Sequence, residues 1–348
     1  MNKKLILKIF IPLLSIILIV LAIVFINFHN KIYRNNINPD NSEEKYFYIH
    51  SGSDFDDVCD SLFISKILID QNSFLWLAEQ KNYKNHIHPG RYLITANMSN
   101  NELINMLRSG DQKPVKLVIN NIRTKNDLSG IISGYLETDS ITILKLLSDE
   151  EFLSTYGYND QNVMTVFLPN TYEFFWNTSA KSFFERMINE NDKFWTKARL
   201  NKTGEIALTS EEVSILASIV QQETTHRNEM PEIAGVYINR LKRGMLLQAD
   251  PTVIFALGDF SKKRVLKKDT KTDSPYNTYK HVGLPPGPIC LPEPTTIDQV
   301  LNYKQHKYLY FCAKDDLSGY HNFSKTLREH LRYARKYQRA INKLKIRK

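Results

Sequence analysis

A capped helix that ends in an acid is encoded by Thr209-Ser-Glu-Glu-Val-Ser-Ile-Leu-Ala-Ser-Ile-Val-Gln-Gln-Glu-Thr224. Thr209 followed three residues later by Glu212 forms a capping box, which marks the first turn of a helix. Four apolar residues then recur at helical spacing: Val213, Leu216, Ala217 and Val220. The same stripe, continued by three residues, reaches Glu223. The sequence therefore places a carboxylate where the next buried apolar side chain is expected.

A carboxylate in that position is expected to have an unusual ionisation. Removal from water disfavours its charged form and raises its pKa above the ~4.3 of a free glutamate. A glutamate that stays protonated near neutral pH can act as a general acid, as glycosidases require. The alternative is an exposed Glu223 at a frayed helix end, paired with Arg227 four residues further on.

The composition excludes several classes of protein. The chain has 348 residues, which is room for two or three modest domains at the usual ~100–200 residues each. Hydrophobic residues make up 42% and charged residues 24%, which excludes a disordered, collagen-like or polytopic membrane protein. The three cysteines form no CxxC pair, and no P-loop, HExxH or GxSxG motif is present, so the common nucleotide, zinc-protease and α/β-hydrolase sites are not predicted.

An apolar run near the N-terminus predicts a membrane anchor. Residues 9–26 are uncharged and long enough to cross a bilayer as a helix, and Lys3, Lys4 and Lys8 hold the preceding end in the cytoplasm. A cleaved signal peptide is the alternative, but its apolar core would be only ~7–15 residues long. We therefore expect residues 1–30 to be a cytoplasmic N-terminus and a single-pass signal anchor, with the rest of the chain outside.

The basic charge is concentrated at the other end of the chain. Residues 325–348 hold ten Lys and Arg against one acid, Glu329, and so account for the whole net charge of +9. The segment is predicted to be a solvated basic helix, with attraction to anionic lipid headgroups or acidic peptides as an alternative. Because the segment is expected outside the cell membrane, nucleic acid is not an expected partner.

The remaining sequence indicates an α+β protein. Residues 31–45 are polar and are interpreted as a linker. Residues 46–110 predict a strand, two helices and a strand, an order that resembles the LysM-like modules that hold glycan strands. A last helix, which stops at Gly110, departs from a plain LysM repeat. Any small α/β unit gives the same pattern. Residues 168–176 are dense in aromatics and form either a core loop or a saccharide-stacking surface.

Polar residues follow the glutamate helix in several short blocks. Asp250 precedes Pro251 and is a good N-cap for a further helix. Two stiff loops come next: Ser274-Pro-Tyr-Asn-Thr-Tyr279 and Gly283-Leu-Pro-Pro-Gly-Pro-Ile289, the second of which is otherwise a polyproline connector. Residues 307–313 predict a buried strand, with 320–323 as its hairpin partner.

Six of these blocks, in one order over about 110 residues, resemble the YceG-like family of endolytic murein transglycosylases. They are 217–224, 236–245, 247–253, 274–279, 283–289 and 321–327. The family's helix motif usually carries acids at the positions of Gln221 and Glu223, so Glu223 is the residue able to serve as the catalytic acid. Ala249 stands where the family commonly has threonine. The resemblance implies a YceG-like catalytic domain over 111–348, with its core motifs in 209–327.

The resemblance implies a carbon–oxygen lyase that acts on peptidoglycan in the bacterial cytoplasmic membrane, with its catalytic domain on the extracytoplasmic face. Such an enzyme cleaves the β-1,4 bond between N-acetylmuramic acid and N-acetylglucosamine within glycan strands, leaves 1,6-anhydro ends and terminates nascent strands. Neither a metal nor an organic cofactor is implied. Peptidoglycan synthases are a further implied partner class. A non-catalytic peptidoglycan-binding or scaffold protein of the same fold is the alternative function.

The resemblance also gives candidates for substrate binding. By analogy with polar groups around the single glutamate of other lytic transglycosylases, these are Gln248, Tyr276 and Asn277, followed by Asn239, Arg240, Asp250 and Ser274. Asn239 and Arg240 have a structural alternative, in which they brace the helix that carries them.

Overall fold

The computed structural model describes residues 3–38, 45–262 and 264–343, and residues 3–9 only as backbone. The chain divides into two compact units, Met1–Val115 with Glu173–Thr178, and Lys116–Tyr172 with Ser179–Lys348. Helices and short antiparallel strand pairs occur together, which confirms the predicted α+β class.

The elements up to residue 115 are α1 Lys3–Tyr33, β1 Lys45–Ile49, α2 Phe55–Ile64, α3 Gln71–Gln80, β2 Gly90–Ile94 and α4 Asn100–Ser109. They are followed by β3 Val115–Ile119, α5 Lys125–Ser133, α6 Ser140–Leu146, α7 Glu150–Ser154, β4 Asn170–Phe174, α8 Ala180–Phe194 and α9 Lys197–Ile206. The last group is α10 Ser210–Glu223, α11 Met230–Leu241, α12 Asp250–Leu257, α13 Pro294–Leu301, β5 Tyr310–Ala313, β6 His321–Ser324 and α14 Leu327–Lys343. Strands pair as β1–β2, β3–β4 and β5–β6.

The first unit contains the predicted strand–helix–helix–strand–helix order. β1 and β2 are antiparallel, with Lys45 opposite Ile94 and Ile49 opposite Gly90. A capping box between Ser99 and Glu102 starts α4, and Gly110 ends it in the left-handed conformation. The buried side chains of these elements form one hydrophobic core. The element order predicted for 46–110 is confirmed, while the resemblance to LysM modules stays a prediction.

The helix α1 exposes its apolar side chains. Residues Phe10–Tyr33 are long and apolar enough to cross a membrane, and none of that span is buried within the structure. Such a surface is stable in lipid rather than in water.

The chain that leaves α1 differs from the linker predicted over 31–45. Residues 31–33 are the end of α1, and the next residues pack on the first unit, where Asn36 is 4% and Ile37 2% exposed. The Asn36 side chain donates to the Asp70 carbonyl at 2.9 Å and accepts from the Asp70 amide at 2.7 Å. The polar composition of this segment predicts a linker, but here the Asn36 side chain binds backbone groups of the first unit. Residues 39–44 of the predicted linker lie outside the described residues.

The second unit has its core around α10. The capping box of Thr209 and Glu212 is present as predicted, and all eight residues from Val213 to Val220 are buried. They pack with buried residues of α11 and α13, among them Ile233, Tyr237 and Ile297. The packing therefore covers α10 on several faces and leaves its last residues at the edge of the core.

The C-terminal hairpin corrects one prediction. β5 and β6 pair antiparallel, with Tyr310 opposite Ser324, so the predicted hairpin is confirmed. The four residues of β5 are only half-buried, however, and the strand begins at Tyr310 rather than at residue 307. The predicted buried strand is wrong in this respect. Phe311 contacts α11 and Tyr310 contacts α14, but a sheet of only two strands leaves both of its edges open.

The region 168–176 supports the core alternative for part of its length. Leu168, Tyr172 and Phe174 are buried, and the Tyr172 hydroxyl donates to the Leu168 carbonyl at 2.8 Å. Phe175 remains 52% exposed.

Close packing of α11 gives a stability prediction. A Cβ added at Gly235 would lie 2.5 Å from the Lys304 carbonyl oxygen, which belongs to the backbone and cannot move freely. We expect Gly235→Ala to lower the free energy of unfolding by about 1–3 kcal/mol. Urea unfolding of the full chain in detergent measures this. Gly130→Ala is the matched control, because no atom lies within 4 Å of its added Cβ in α5. There alanine should stabilise by up to about 1 kcal/mol, and equal effects of the two changes would contradict the packing argument.

Candidate active site

Glu223 is the last residue of α10, and it faces a tyrosine of the neighbouring helix. The Tyr237 hydroxyl, on α11, donates a hydrogen bond to Glu223 Oε1 at 2.5 Å. Tyr237 is 1% exposed, and Glu223 is partly buried. The predicted continuation of the apolar stripe to Glu223 is therefore confirmed. The alternative of a frayed end paired with Arg227 is wrong, because α10 stays helical to Glu223 and the carboxylate binds Tyr237.

The surroundings of Glu223 raise its pKa to about 7. Burial is the largest cause, and the negative charge of Asp250 acts in the same direction. The hydrogen bond from Tyr237 and the positive charge of Arg240 act in the opposite direction, because both stabilise the carboxylate. Burial also holds the pKa of Tyr237 well above its ordinary value, so the phenol remains a donor. The side chain of Glu223 is thus able to give and to take a proton near neutral pH.

A second carboxylate belongs to the same electrostatic environment. Asp250 is the first residue of α12, and its Oδ1 accepts a hydrogen bond from the Tyr279 hydroxyl at 2.6 Å. The prediction that Asp250 caps this helix is wrong, because Ala249 occupies the N-cap position and no side chain caps the helix. With Pro251 as the next residue, the first turn needs one fewer hydrogen-bond acceptor. The exposed Asp250 carboxylate is therefore available at the site.

Arg240 and Asn239 use their donors inside the protein. Arg240 is 7% exposed and donates to the carbonyls of Leu309 and Leu247, at 2.7 Å each. The Asn239 amide donates to the carbonyls of His306 and Tyr308 at 2.8 and 3.0 Å. Both residues thus join α11 to the strand region that follows, which is the structural alternative given for them above.

Asn277 has a similar internal role in its loop. Its side chain is fully buried, with Nδ2 donating to the carbonyls of Thr270 and Thr272 at 3.1 and 2.7 Å. Its Oδ1 accepts from the Tyr279 amide at 3.0 Å, so Asn277 fixes the backbone that carries Tyr279. No donor of the Asn277 amide is left for a substrate.

The other three candidates, Gln248, Tyr276 and Ser274, are at least partly exposed to solvent. Gln248 is exposed, with φ of +50°, and its backbone N–H donates to the Thr278 carbonyl at 3.1 Å. The ring of Tyr276 packs on Phe255 with centroids 4.7 Å apart, and burial raises the pKa of Tyr276 to about 12. Ser274 is partly exposed, and its Oγ accepts from the Tyr276 amide at 3.2 Å.

Gln221 and Gln222 are only partly buried, and the side chain of Gln221 binds a neighbouring segment. Its Oε1 accepts from the Glu293 amide at 2.6 Å, and its Nε2 donates to the Leu291 carbonyl at 3.3 Å. A carboxylate at position 221 would lack the donor for Leu291. The amide therefore suits this position better than an acid would.

Sequence reasoning missed two residues of the site, Tyr237 and Tyr279. In the sequence, Tyr237 falls only within the block 236–245, and Tyr279 only within the loop 274–279. A buried tyrosine needs a partner for its hydroxyl, which is the signal that was available for Tyr237. Its partner could not be identified without the crossing of α10 and α11.

A third polar pair lies beyond an aromatic ring. His321 Nδ1 lies 2.8 Å from Glu229 Oε2, and the His321 ring meets the Phe311 ring edge-on. Phe311 in turn contacts the ring of Tyr237, with centroids 5.8 Å apart. Over residues 3–38, 45–262 and 264–343, no three His, Cys, Asp or Glu side chains gather closely enough to hold a metal ion.

Known proteins resemble this chain over most of its length. The model of the YceG-like family matches residues 47–336. An endolytic murein transglycosylase of Bacillus subtilis (strain 168) is 36% identical over 188 residues, which are 53% of this chain and 46% of that protein. Another, of Streptococcus pneumoniae serotype 2, is 29% identical over 275 residues, which are 69% of this chain and 49% of that protein. The chain spans about half the length of these curated relatives.

One solved structure resembles the fold described above. The crystal structure of a yceG-like protein from Listeria monocytogenes superposes with a TM-score of 0.54 and 29% identity. The match covers 84% of this chain and 99% of that one.

The raised pKa of Glu223 predicts a pH-dependent cost in stability. The folded pKa is about 7 and the ordinary value is 4.5, so between these values the folded protein binds more protons than the unfolded chain. The contribution of Glu223 to the free energy of unfolding is then fully present below about pH 4.5 and falls by up to about 3 kcal/mol as the pH rises through 7. Glu223→Gln removes this dependence. Urea unfolding at several pH values should show the free energy of unfolding of Glu223→Gln increasing relative to that of the wild type as the pH rises. A difference that does not change with pH would contradict the raised pKa.

The hydrogen bond from Tyr237 makes a separate prediction. Since it stabilises the charged carboxylate, Tyr237→Phe should raise the pKa of Glu223 further, by roughly half to one unit. Carboxyl-carbon NMR measures this, with Glu223→Gln identifying the resonance. Tyr303→Phe is the matched control, because the Tyr303 hydroxyl accepts from Lys242 instead. A lowered or unchanged pKa in Tyr237→Phe would contradict the assigned role.

Proposed function

The chain belongs to the YceG-like family, and from that premise we propose that it is a membrane-anchored endolytic lytic transglycosylase. Its substrate is the β-1,4 bond between N-acetylmuramic acid and N-acetylglucosamine within peptidoglycan strands, and its products carry 1,6-anhydro ends. The observation that carries the proposal is the Glu223 carboxyl, held by Tyr237 at 2.5 Å with a pKa of about 7. The names of the curated relatives support it.

The first step needs a proton donor. With a pKa of about 7, a large fraction of Glu223 is protonated near neutral pH. Protonated Glu223 gives its proton to the bridging oxygen of the glycosidic bond, while the muramoyl ring becomes oxocarbenium-like. A donor whose pKa matches the working pH is the most effective general acid. A sufficient fraction of it is protonated, and its acidity is still high enough to drive proton transfer.

The second step needs a proton acceptor, and the same side chain supplies it. The Glu223 carboxylate takes the proton of the muramoyl 6-hydroxyl, whose oxygen bonds to C1 and closes the 1,6-anhydro ring. The proton lost in the first step is recovered, and no water is consumed. Glycosidases with two carboxylates need the second as nucleophile or to activate water, whereas this substrate carries its own nucleophile. One carboxylate is therefore sufficient for the bond cleavage.

Tyr237 holds the carboxyl for both steps. Its hydrogen bond occupies Glu223 Oε1 and leaves Oε2 for the substrate. Because Tyr237 stabilises the carboxylate and Asp250 disfavours it, the two neighbours keep the two protonation states close in energy. Such balance favours a group that must act as acid and then as base.

Asp250 contributes negative charge beside the bond being broken. Its carboxylate is exposed and held by Tyr279, and its field reaches Glu223. A negative charge so placed stabilises the positive charge that develops on the sugar ring. We assign it this electrostatic role, without a covalent step.

The remaining candidates divide by what their donors already do. Gln248, Tyr276 and Ser274 have accessible surface and are proposed to contact the sugar chain. Backbone carbonyls accept hydrogen bonds from the side chains of Asn239, Arg240 and Asn277, so we propose these three as positioning residues. In this role Asn277 acts through Tyr279, and Arg240 acts through the loop at Leu247.

The proposed location is the bacterial cytoplasmic membrane. The span Phe10–Tyr33 supports a single-pass anchor, and the lysines before it favour a cytoplasmic N-terminus. The catalytic part then faces the peptidoglycan outside, where it shortens or terminates nascent strands and meets peptidoglycan synthases. Membrane flotation of the full chain, with and without alkaline extraction, tests the anchor.

The activity is tested by product analysis. Full-length protein in detergent is incubated with peptidoglycan, and the products are analysed by mass spectrometry. We expect anhydro-muramoyl ends from the wild type and a loss of about 10²–10⁴-fold in Glu223→Gln, the size of a general acid–base contribution. Glu232→Gln is the matched control, since this glutamate faces Lys304 at the surface.

Two outcomes would replace the proposal. Binding of peptidoglycan without any cleavage would indicate the scaffold alternative of the same fold. Ends that carry added water would indicate a lysozyme-like hydrolase, which needs a second group to activate that water.

A further inference from the structure

A polar cavity lies where the anchor helix α1 meets the first unit. It has a volume of about 590 Å³, within the usual range of small-ligand sites. The helix contributes Asn27, Asn30, Lys31 and Arg34 to its lining, and the facing wall includes Asp70 and Asn100. The site described above uses none of these residues. The cavity is therefore separate from the candidate active site.

The charges of the lining favour an anion. Lys31 and Arg34 are both exposed, and in the described part of the chain neither forms an ion pair with a carboxylate. Lys31 lies instead over the ring of Trp76, with its Nζ 5.5 Å from the ring centroid. Asp70 is the one acid in the described lining, and its Oδ1 already accepts from the Ser73 amide. The two cations thus remain available to a ligand.

Two helices begin at the facing wall. Asp70 is the N-cap of α3, and Asn100 is the first residue of α4. Each helix has ten residues and directs the positive end of its dipole toward the cavity. Backbone amides at helix N-termini suit phosphate and carboxylate groups. The carboxylates of Asp70 and Glu102 already accept from the Ser73 and Ser99 amides at these helix starts, so Lys31 and Arg34 are the groups that favour a further anion.

The depth of the cavity points to the source of that anion. The apolar run of α1 ends at Ile26, and Asn27 to Lys31 lie about 1.5–7.5 Å further along the helix axis. The headgroup layer on each side of a bilayer is roughly 5–8 Å thick. When residues 9–26 span the hydrocarbon core, these lining residues lie at the level of the lipid phosphates.

We propose that this cavity binds the phosphate group of an anionic membrane lipid. Lys31 supplies a point charge at the phosphate level, and the Asn27 and Asn30 amides donate at the rim. Arg34 lies about 12 Å beyond Ile26, and its long side chain reaches back to the phosphate oxygens with its planar fork. A lipid bound there holds α1 and the first unit in one orientation on the bilayer. The inference rests on the proposed membrane anchor and is independent of the proposed chemistry at Glu223.

The test is native mass spectrometry of the full chain in micelles that contain equal amounts of phosphatidylglycerol and phosphatidylcholine. We expect the wild type to retain phosphatidylglycerol in preference. Lys31→Gln/Arg34→Gln should lower the retained fraction roughly tenfold, the order expected for two cations at headgroup level. Lys84→Gln/Arg108→Gln is the control, because it removes the same charge from exposed positions outside the cavity and should retain lipid as the wild type does.

Several results would overturn the inference. These are equal retention by the wild type and Lys31→Gln/Arg34→Gln, or no preference over phosphatidylcholine in the wild type. An arm with excess inorganic diphosphate separates lipid from free phosphate: retained lipid supports the proposal, and complete displacement of the lipid overturns it.

Two further measurements keep these results interpretable. Where Lys31→Gln/Arg34→Gln unfolds, Asn30→Asp places a negative charge in the same cavity without changing its shape, and it should reduce retention equally. If the proposed membrane anchor is wrong, the flotation experiment shows it separately, because the wild type then does not float with membranes. Glu223→Gln should retain lipid fully, whatever its effect on peptidoglycan.

Discussion

The hydrogen bond between Tyr237 and Glu223 is the constraint on which the rest of the site depends. It joins the end of α10 to the middle of α11, and it requires both helices to be fixed in the core around them. Eight consecutive buried residues of α10 supply that rigidity. A carboxyl with a pKa of about 7 is costly to bury as an anion, so packing elsewhere must offset what the site loses in stability.

The environment of Glu223 is a balance rather than a single strong effect. Burial and Asp250 favour the protonated form, while Tyr237 and Arg240 favour the charged form. Each of these neighbours is held by a different part of the fold: Arg240 by backbone carbonyls, and Asp250 by Tyr279, whose own backbone is fixed by Asn277. The proton affinity of one carboxyl thus reports the geometry of three separate elements.

In the first unit, hydrogen bonds from polar side chains fix the chain that follows α1. Asn36 binds the backbone at Asp70, and Asn100 donates to the Lys31 carbonyl at 2.9 Å, so the end of α1 is tied to α3 and α4. The helix and the elements to which it is tied therefore belong to one compact unit.

The sequence by itself determined which segments fold and which faces are buried. The capping box at Thr209, the stripe that ends at Glu223, the Gly110 stop and the apolar N-terminal helix all follow from residues close together in the sequence. Only the tertiary structure decided that Tyr237 meets Glu223, that Asp250 leaves its helix uncapped, that Asn277 and Asn239 turn inward, and that Asn36 and Ile37 are buried. These pairings depend on how helices cross and where distant carbonyls lie, and no local period carries that information.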